Sequence, residues 1–178
     1  RRGGREPPGS GRMTDTLLGD TQRVEIALAD SAEDFALARE LIAEYAETPE
    51  VDRCIRDLEA ELAGVSENYS LPGGWLWIAS VGGEATGCAA LRPLGDGAGE
   101  MKRLYVRPPF RGRKVGRALA ETVIREAGGA GFGAVRLDTL PSMRAAADLY
   151  LSMGFREIPP YGKGSPPGAI FMEIPLNG

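Results

Sequence analysis

Glycines and basic side chains are concentrated in residues 102–119, in a pattern that could bind an anion. The segment begins as a strand-like run, turns at Pro108 and Pro109, and continues into a sequence typical of a helix. The first N–H groups of a helix have no intrahelical acceptor and the helix dipole adds positive charge there, so a phosphate stabilises that end. Glycines let the backbone approach such a ligand closely. The residues expected to surround the anion are Arg111, Gly112, Arg113, Lys114, Val115, Gly116 and Arg117.

The spacing within this segment excludes the two commonest nucleotide-binding loops. A P-loop needs serine or threonine directly after its lysine, whereas Lys114 is followed by Val115. A dinucleotide fingerprint needs three glycines at fixed spacing, and only Gly112 and Gly116 are present. Nucleic-acid binding through the basic cluster is a weaker alternative, because the chain carries a net charge of −4.

The elements that must position this segment follow from hydrophobic periodicity, which predicts the order β-α-α-β-β-β-α-β-α-β-β. That order indicates an α/β protein with a single mixed, mostly antiparallel sheet flanked by helices. Pro49 is predicted to open the second helix, and Gly128-Gly129 to end the third. The predicted strands cover residues 22–28, 75–81, 85–91, 100–106, 134–140, 155–158 and 170–174, and the last two helices cover 114–127 and 142–153.

Composition indicates one domain, since 178 residues with 43% hydrophobic content suffice for a single core. Residues 1–20 are expected to form a disordered tail rich in Arg, Gly and Pro, with Met13 as a candidate true start, and residues 21–178 to form the domain. The absence of histidine excludes His-based triads and His metal ligands, and no metal is expected. Cys54 and Cys88 are expected to be reduced core thiols, which favours a cytoplasmic protein.

Two motifs give the chain its resemblance to a known family. Residues 111–116 resemble the pyrophosphate loop of the GNAT superfamily of acyl-CoA-dependent N-acyltransferases, Gln/Arg-x-x-Gly-x-Gly/Ala, except that Lys114 stands where the family usually has glycine. Residues 146–155 are similar to the family's Ala-x-x-Leu-Tyr-x-x-x-Gly-Phe signature. Met143 is a second departure, because many members have an asparagine there. The resemblance covers residues 21–178 and is strongest over residues 100–155.

The resemblance implies that acetyl-CoA lies where the fourth and fifth strands separate. Backbone groups around Leu104, Tyr105 and Val106 would pair with the pantetheine arm like an added strand, and the loop described above would hold the pyrophosphate. A backbone N–H of the fourth strand would stabilise the oxyanion that develops on the thioester.

The family also implies two catalytic residues, Tyr150 as the acid that protonates the leaving thiolate and Glu100 as the base. A base matters most for a lysine-type amine, whose deprotonation at pH 7 costs about 4.6 kcal/mol against about 1.4 kcal/mol for an α-amino group. Each residue has a structural alternative: Glu100 could form an ion pair with Lys102 or Arg103, and Tyr150 could belong to an apolar helix stripe.

The sequence therefore predicts an N-acetyltransferase that moves an acetyl group from acetyl-CoA to a primary amine of a small molecule or exposed peptide, by direct transfer in a ternary complex. A catalytically silent acyl-CoA-binding module is the alternative. The expected partners are acetyl-CoA and an amine-bearing acceptor, with a homodimer also allowed, and neither nucleic acid nor a membrane. The proline-rich loop at residues 159–168 is expected to select the acceptor.

Overall fold

The computed structural model of the chain describes residues 23–49, 51, 57–162 and 165–176. The tail predicted over residues 1–20 and Cys54 lie outside these ranges. The described residues form a seven-stranded sheet packed against helices. Its strands are β1 (Val24–Leu28), β2 (Trp75–Val81), β3 (Glu84–Pro93), β4 (Ala98–Val106), β5 (Ala134–Thr139), β6 (Arg156–Ile158) and β7 (Ile170–Pro175), and the helices are α1 (Ala32–Ala46), α2 (Leu58–Asn68), α3 (Val115–Gly129) and α4 (Arg144–Ser152).

The strands are arranged in the order β1-β2-β3-β4-β5-β7-β6. Neighbouring strands are antiparallel except β4 and β5, which confirms the predicted α/β class with a mixed, mostly antiparallel sheet. The predicted order of helices and strands is confirmed as well.

The parallel pair β4 and β5 separates soon after it forms. The two strands pair only over Ala98–Glu100 and Ala134–Arg136. Beyond that point β4 continues to Val106 and β5 to Thr139 with no pairing between them. Unpaired backbone groups of the two strands therefore face a gap in the middle of the sheet.

The helices bury apolar layers against opposite faces of the sheet. Trp77 and Ala79 of β2 belong to the layer that includes α3, and Leu76 and Ile78 belong to the layer that includes α1. This division follows from the alternation of side chains along a strand. The gap between β4 and β5 thus connects two differently covered faces.

The start predicted for one helix is wrong, and the end predicted for another is shifted by two residues. Pro49 does not open a helix: α2 begins at Leu58, where the side chain of Asp57 accepts a hydrogen bond of 3.0 Å from the Ala60 N–H. Residues 52–56 of that predicted helix lie outside the described part. Helix α3 continues through Gly128-Gly129, and the left-handed residue that follows it is Gly131, at a φ of 87°.

Candidate active site

A cavity of about 520 Å³ opens at the gap between β4 and β5, beside the N-terminal ends of α3 and α4. We call it the large cavity. The residues predicted to bind the cofactor line it, with the exception of Arg113. Its walls on α4 include Met143 and Leu149, and Tyr45 and Val51 close it on the α1 side. The predicted residues that line the cavity are Leu104, Tyr105, Val106, Arg111, Gly112, Lys114, Val115, Gly116 and Arg117.

The loop before α3 has the backbone geometry that favours glycine. Gly112 has a φ of 78°, and Lys114, the N-cap of α3, has a φ of 65° and a ψ of 9°. A left-handed conformation costs an ordinary L-residue about 1–2 kcal/mol, which explains why the related motif has glycine at the position of Lys114. The lysine keeps the loop conformation at an energetic cost.

We expect Lys114→Gly to be more stable than Lys114→Ala by about 1 kcal/mol in the free energy of unfolding, since both remove the charge but only glycine relieves the left-handed strain. Urea unfolding of the two variants measures the difference. Equal stabilities would show that the loop relaxes around an alanine. Comparing acetyl-CoA affinity between Lys114→Ala and the parent then isolates the contribution of the ammonium group.

Gly116 in the first turn of α3 leaves space on the cavity side. A Cβ added there would lie 3.6 Å from Val106 Cγ2 and 3.7 Å from Leu149 Cδ2, which are ordinary contact distances. Packing within the protein therefore does not require a glycine at this position. Close approach of a ligand to the helix end is the remaining reason for its small size.

The basic residues around the loop have different partners. Arg111 donates from Nε to the Val106 carbonyl at 3.0 Å, and Arg117 donates to Ser152 Oγ at 2.6 Å, so both are held beside the cavity. Arg113 instead lies over the Phe110 ring, 5.4 Å from its centroid, outside the cavity lining. Arg113 as a whole is absent from that lining, so its contact with the cofactor stays a prediction.

Arg107 belongs to the fold although it is part of the same basic cluster. Its guanidinium donates to both carboxylate oxygens of Glu44, with a shortest distance of 2.7 Å, and to the Ala85 carbonyl at 2.7 Å. The hydrogen bonds from Arg107 hold the pKa of Glu44 below its ordinary value. This pair ties the end of β4 to α1.

A β-bulge interrupts β4 beside the cavity. Cys88 pairs with Tyr105 and Ala90 with Lys102, so two β4 residues, Arg103 and Leu104, oppose a single residue of β3. Arg103 has a φ of 56°, which bends the strand at this point. Such a bulge turns a backbone N–H out of the ladder, toward the gap between β4 and β5.

A second cavity, of about 40 Å³, adjoins the large one and shares Tyr45, Leu104 and Met143 with it. We call it the small cavity. Consecutive residues from both strands line it, Met101 with Lys102 on β4 and Leu137 with Asp138 on β5. Because consecutive strand residues point to opposite faces, the small cavity extends through the sheet.

Tyr150 of α4 lines the small cavity from the α3 side. The side chain is buried, and its ring packs against Phe155 with centroids 5.6 Å apart. Burial, together with the charges of Tyr45 and Asp138, raises the pKa of Tyr150 well above its ordinary value. Its hydroxyl therefore stays protonated at neutral pH and is available as a proton donor.

Glu100 lies beneath the surface of the sheet, with 4% of its area exposed, and lines neither cavity. It accepts hydrogen bonds from Arg92 at 2.7 Å and from the Tyr161 hydroxyl at 2.9 Å, and Lys102 Nζ lies 3.3 Å away. The ion pair with Lys102 that the sequence offered as an alternative is present. Arg103, the other partner considered, pairs with Glu61 at 2.7 Å instead.

Asp138 is a carboxylate that sequence reasoning missed. It lines the small cavity opposite Tyr150, and its Oδ1 accepts from Lys102 Nζ at 2.9 Å. The polar residues Arg136 and Asp138 alternate with buried Val135 and Leu137 along β5, which was the available signal. That alternation marks a polar face but does not reveal that the face borders a gap.

Cys88 matches the expectation of an inert core thiol. It is fully buried on β3, and burial raises its pKa to about 12. A thiol that stays protonated is a poor nucleophile, so the geometry gives no support to an acyl-enzyme at this residue.

Among the described residues, no cluster of three or more Cys, Asp or Glu side chains could hold a metal ion. The same residues include no helix with the length and apolar character needed to cross a membrane.

The comparisons with known proteins define the class. The pattern of the acetyltransferase (GNAT) family matches residues 35–155. An uncharacterized N-acetyltransferase of Schizosaccharomyces pombe is 34% identical over 85% of this chain and 93% of its own length. The chain therefore belongs to the GNAT family of N-acetyltransferases.

Solved structures of other proteins share the fold of this chain. A GNAT-family acetyltransferase of Staphylococcus aureus superposes with a TM-score of 0.74 at 22% identity, over 87% of this chain and all of that one (100%). A Salmonella typhimurium protein whose structure contains its cofactor acetyl-CoA superposes with a TM-score of 0.68 at 25% identity, over 88% of this chain and 95% of that one.

Proposed function

We propose that this protein transfers an acetyl group from acetyl-CoA to a primary amine, directly and in a ternary complex. The observation that carries the proposal is the small cavity, which joins the two faces of the sheet between Tyr150 and Asp138. A donor lying in the large cavity and an amine arriving from the opposite face could meet there. The membership of the chain in the GNAT family supports this chemistry.

In this proposal, the pantetheine arm of acetyl-CoA lies along Leu104–Val106, where β4 has lost its pairing with β5. The pyrophosphate lies at the N-terminal end of α3, against backbone N–H groups after Gly112 and beside Arg111 and Arg117. Acetyl-CoA in the Salmonella typhimurium relative is consistent with that choice of donor.

The bulge at Arg103 is the proposed site of the oxyanion. A backbone N–H that has left the β3 ladder is free to donate to the thioester oxygen as the tetrahedral intermediate forms. The salt bridge between Arg103 and Glu61, at 2.7 Å, fixes the bulge against α2. A rigid N–H donor stabilises the oxyanion more than a flexible one does, because it needs no reorganisation during the reaction.

Tyr150 is the proposed acid, because it lines the small cavity and its hydroxyl remains protonated. Asp138 is the base that the geometry favours over Glu100. Both oxygens of Glu100 already accept hydrogen bonds or ion pairs from Arg92, Lys102 and Tyr161, whereas Asp138 uses only Oδ1 among the described contacts. A base needs an accessible lone pair directed toward the amine.

Acceptor selection is proposed to depend on the loop between β6 and β7. Tyr161 in this loop donates to Glu100 at 2.9 Å, and its ring packs edge-on against Phe171 with centroids 5.2 Å apart. Pro166, from the same loop, lines the small cavity. In this proposal, Tyr161 and Pro166 lie where the amine would approach.

The proposal is tested by measuring CoA release from acetyl-CoA in the presence of a panel of amines, from α-amino groups of peptides to lysine-type and small polyamine substrates. Amine-dependent release with at least one acceptor supports a transferase. Saturable acetyl-CoA binding without amine-dependent release across the panel would favour the silent acyl-CoA-binding module.

We expect Asp138→Asn to lower kcat by about 100-fold with little loss of stability, because it removes the base and leaves Lys102 paired with Glu100. Glu100→Gln is the matched variant. It removes the buried carboxylate charge that accepts from Arg92 and from the Tyr161 hydroxyl, while Lys102 keeps Asp138 at 2.9 Å, so it should lower the unfolding midpoint more than it lowers kcat. The reverse pattern, with Glu100→Gln inactive but stable and Asp138→Asn active, would assign the base to Glu100.

A further inference from the structure

Thr139 at the end of β5 carries a polar atom whose role the fold does not explain. Only 5% of the residue is exposed, and its Oγ1 has no hydrogen-bond partner among the described residues. A buried hydroxyl that lacks a partner is destabilising, and such groups are uncommon in folded proteins. A ligand atom or a bound water is the ordinary explanation for one beside a cavity.

Thr139 lines the small cavity together with Asp138 and Tyr150. The volume of about 40 Å³ is sufficient for a water, which requires about 10–15 Å³ of such space. A buried water typically makes about three hydrogen bonds, and these three side chains supply one carboxylate and two hydroxyls.

We propose that the Thr139 hydroxyl holds one water between Asp138 and Tyr150, and that this water carries the amine proton across the sheet. The inference rests on the proposed function, because it names how the base and the acid of that site are connected. Thr139 is a positioning residue in this scheme: it touches neither the amine nor the thioester.

The relay balances protons within the site. The amine nitrogen forms a bond to the thioester carbon, and the electron pair of the broken C–S bond stays on the sulfur. Asp138 takes the proton that the nitrogen loses, and Tyr150 gives its proton to the sulfur. Transfer from Asp138 through the water to Tyr150 then restores both groups, so that one proton leaves the nitrogen and one reaches the sulfur.

A pair of substitutions at Thr139 separates this role from packing. Thr139→Val keeps the shape of the side chain and removes the hydroxyl, whereas Thr139→Ser keeps the hydroxyl and removes a methyl group. We expect the valine variant to lose about tenfold in kcat with unchanged KM for acetyl-CoA, and the serine variant to stay close to the parent. The two variants are compared with the best acceptor found for the parent protein.

Thermal unfolding without ligands gives a second, independent measurement. We expect Thr139→Val to unfold within about 2 °C of the parent, because a buried hydroxyl whose only partner is a water contributes little net stability. Thr139→Ser should unfold below the parent, since it leaves the hydroxyl and loses buried methyl contacts. A packing role would instead make the less stable serine variant the less active of the two.

The outcomes distinguish the relay from the proposed function itself. If the parent acetylates an amine and Thr139→Val matches it in kcat, the relay is wrong and the transferase assignment stands. If serine fails to preserve turnover, the hydroxyl is not the relevant group and the relay is also wrong. If the parent acetylates no amine while binding acetyl-CoA, the proposed function fails before the relay is tested.

Discussion

Tyr150→Phe is expected to reduce kcat by about 100-fold or more while leaving acetyl-CoA affinity unchanged, because general acid catalysis typically contributes 10²–10⁴-fold. The substitution retains the ring that packs against Phe155 at 5.6 Å and removes only a hydroxyl of a residue that lines the small cavity. Stability should therefore be preserved. Steady-state kinetics at saturating acetyl-CoA, with calorimetry for binding, measure the two effects separately.

Tyr69→Phe is the matched control for that experiment. Tyr69 is also buried, but its hydroxyl donates to Glu61 at 3.0 Å and it lines neither cavity. Its loss should cost about 1 kcal/mol of stability and leave kcat essentially unchanged. If Tyr150→Phe retains the parent kcat, Tyr150 is not the acid and its burial in an apolar helix stripe explains its presence.

Gly116→Glu is expected to weaken acetyl-CoA binding by about 100-fold or more. The new carboxylate would lie in the first turn of α3, where the large cavity would receive the pyrophosphate. Two like charges 4 Å apart repel by about 4 kcal/mol at the effective dielectric of a protein surface, which is more than enough for that loss. Calorimetric titration with acetyl-CoA measures it directly.

Gly116→Ala distinguishes charge from size at the same position. Its Cβ would lie 3.6 Å from Val106 Cγ2 and 3.7 Å from Leu149 Cδ2, so the alanine variant should fold normally and unfold at or above the parent midpoint. Affinity should fall far less with alanine than with glutamate. If Gly116→Glu binds acetyl-CoA as tightly as the parent, the cofactor phosphates do not lie at this helix end.

The loop before α3 was predictable because its features are local. Residue types and spacing indicated the loop and the helix after it, the resemblance to the family's motif marked Lys114 as irregular, and the φ of 65° at Lys114 explains why glycine is usual there. The order of helices and strands along the chain was predictable for a similar reason, since the two-residue period of strands and the 3.6-residue period of helices can be recognised within short segments.

The proposed catalytic constellation was less predictable because its contacts join distant residues. Asp138 meets Lys102, which lies 36 positions earlier, because β4 and β5 are neighbours in the sheet and their register sets Glu100 against Arg136. The buried environment of Glu100 likewise depends on Tyr161, 61 positions away. No local pattern specifies where two parallel strands diverge, so the sequence identified a candidate base without showing which carboxylate faces the gap.

Arg107 is a second case in which a partner distant in the sequence decides what a residue does. Arg107 stands close to the basic residues of the loop in sequence, but its partner is Glu44 of α1, 63 positions earlier in the chain. Charge density along the sequence therefore does not show which cations are free to meet a ligand.

Initial-rate kinetics with acetyl-CoA and the best amine acceptor, each varied at several fixed concentrations of the other, test direct transfer between donor and amine most directly. The geometry of Tyr150, Asp138 and the inert thiol of Cys88 predicts intersecting double-reciprocal lines, because both substrates must be bound before the acetyl group moves. Parallel lines would reveal an acyl-enzyme intermediate, and acetyl-CoA binding without amine-dependent CoA release would contradict the transferase itself.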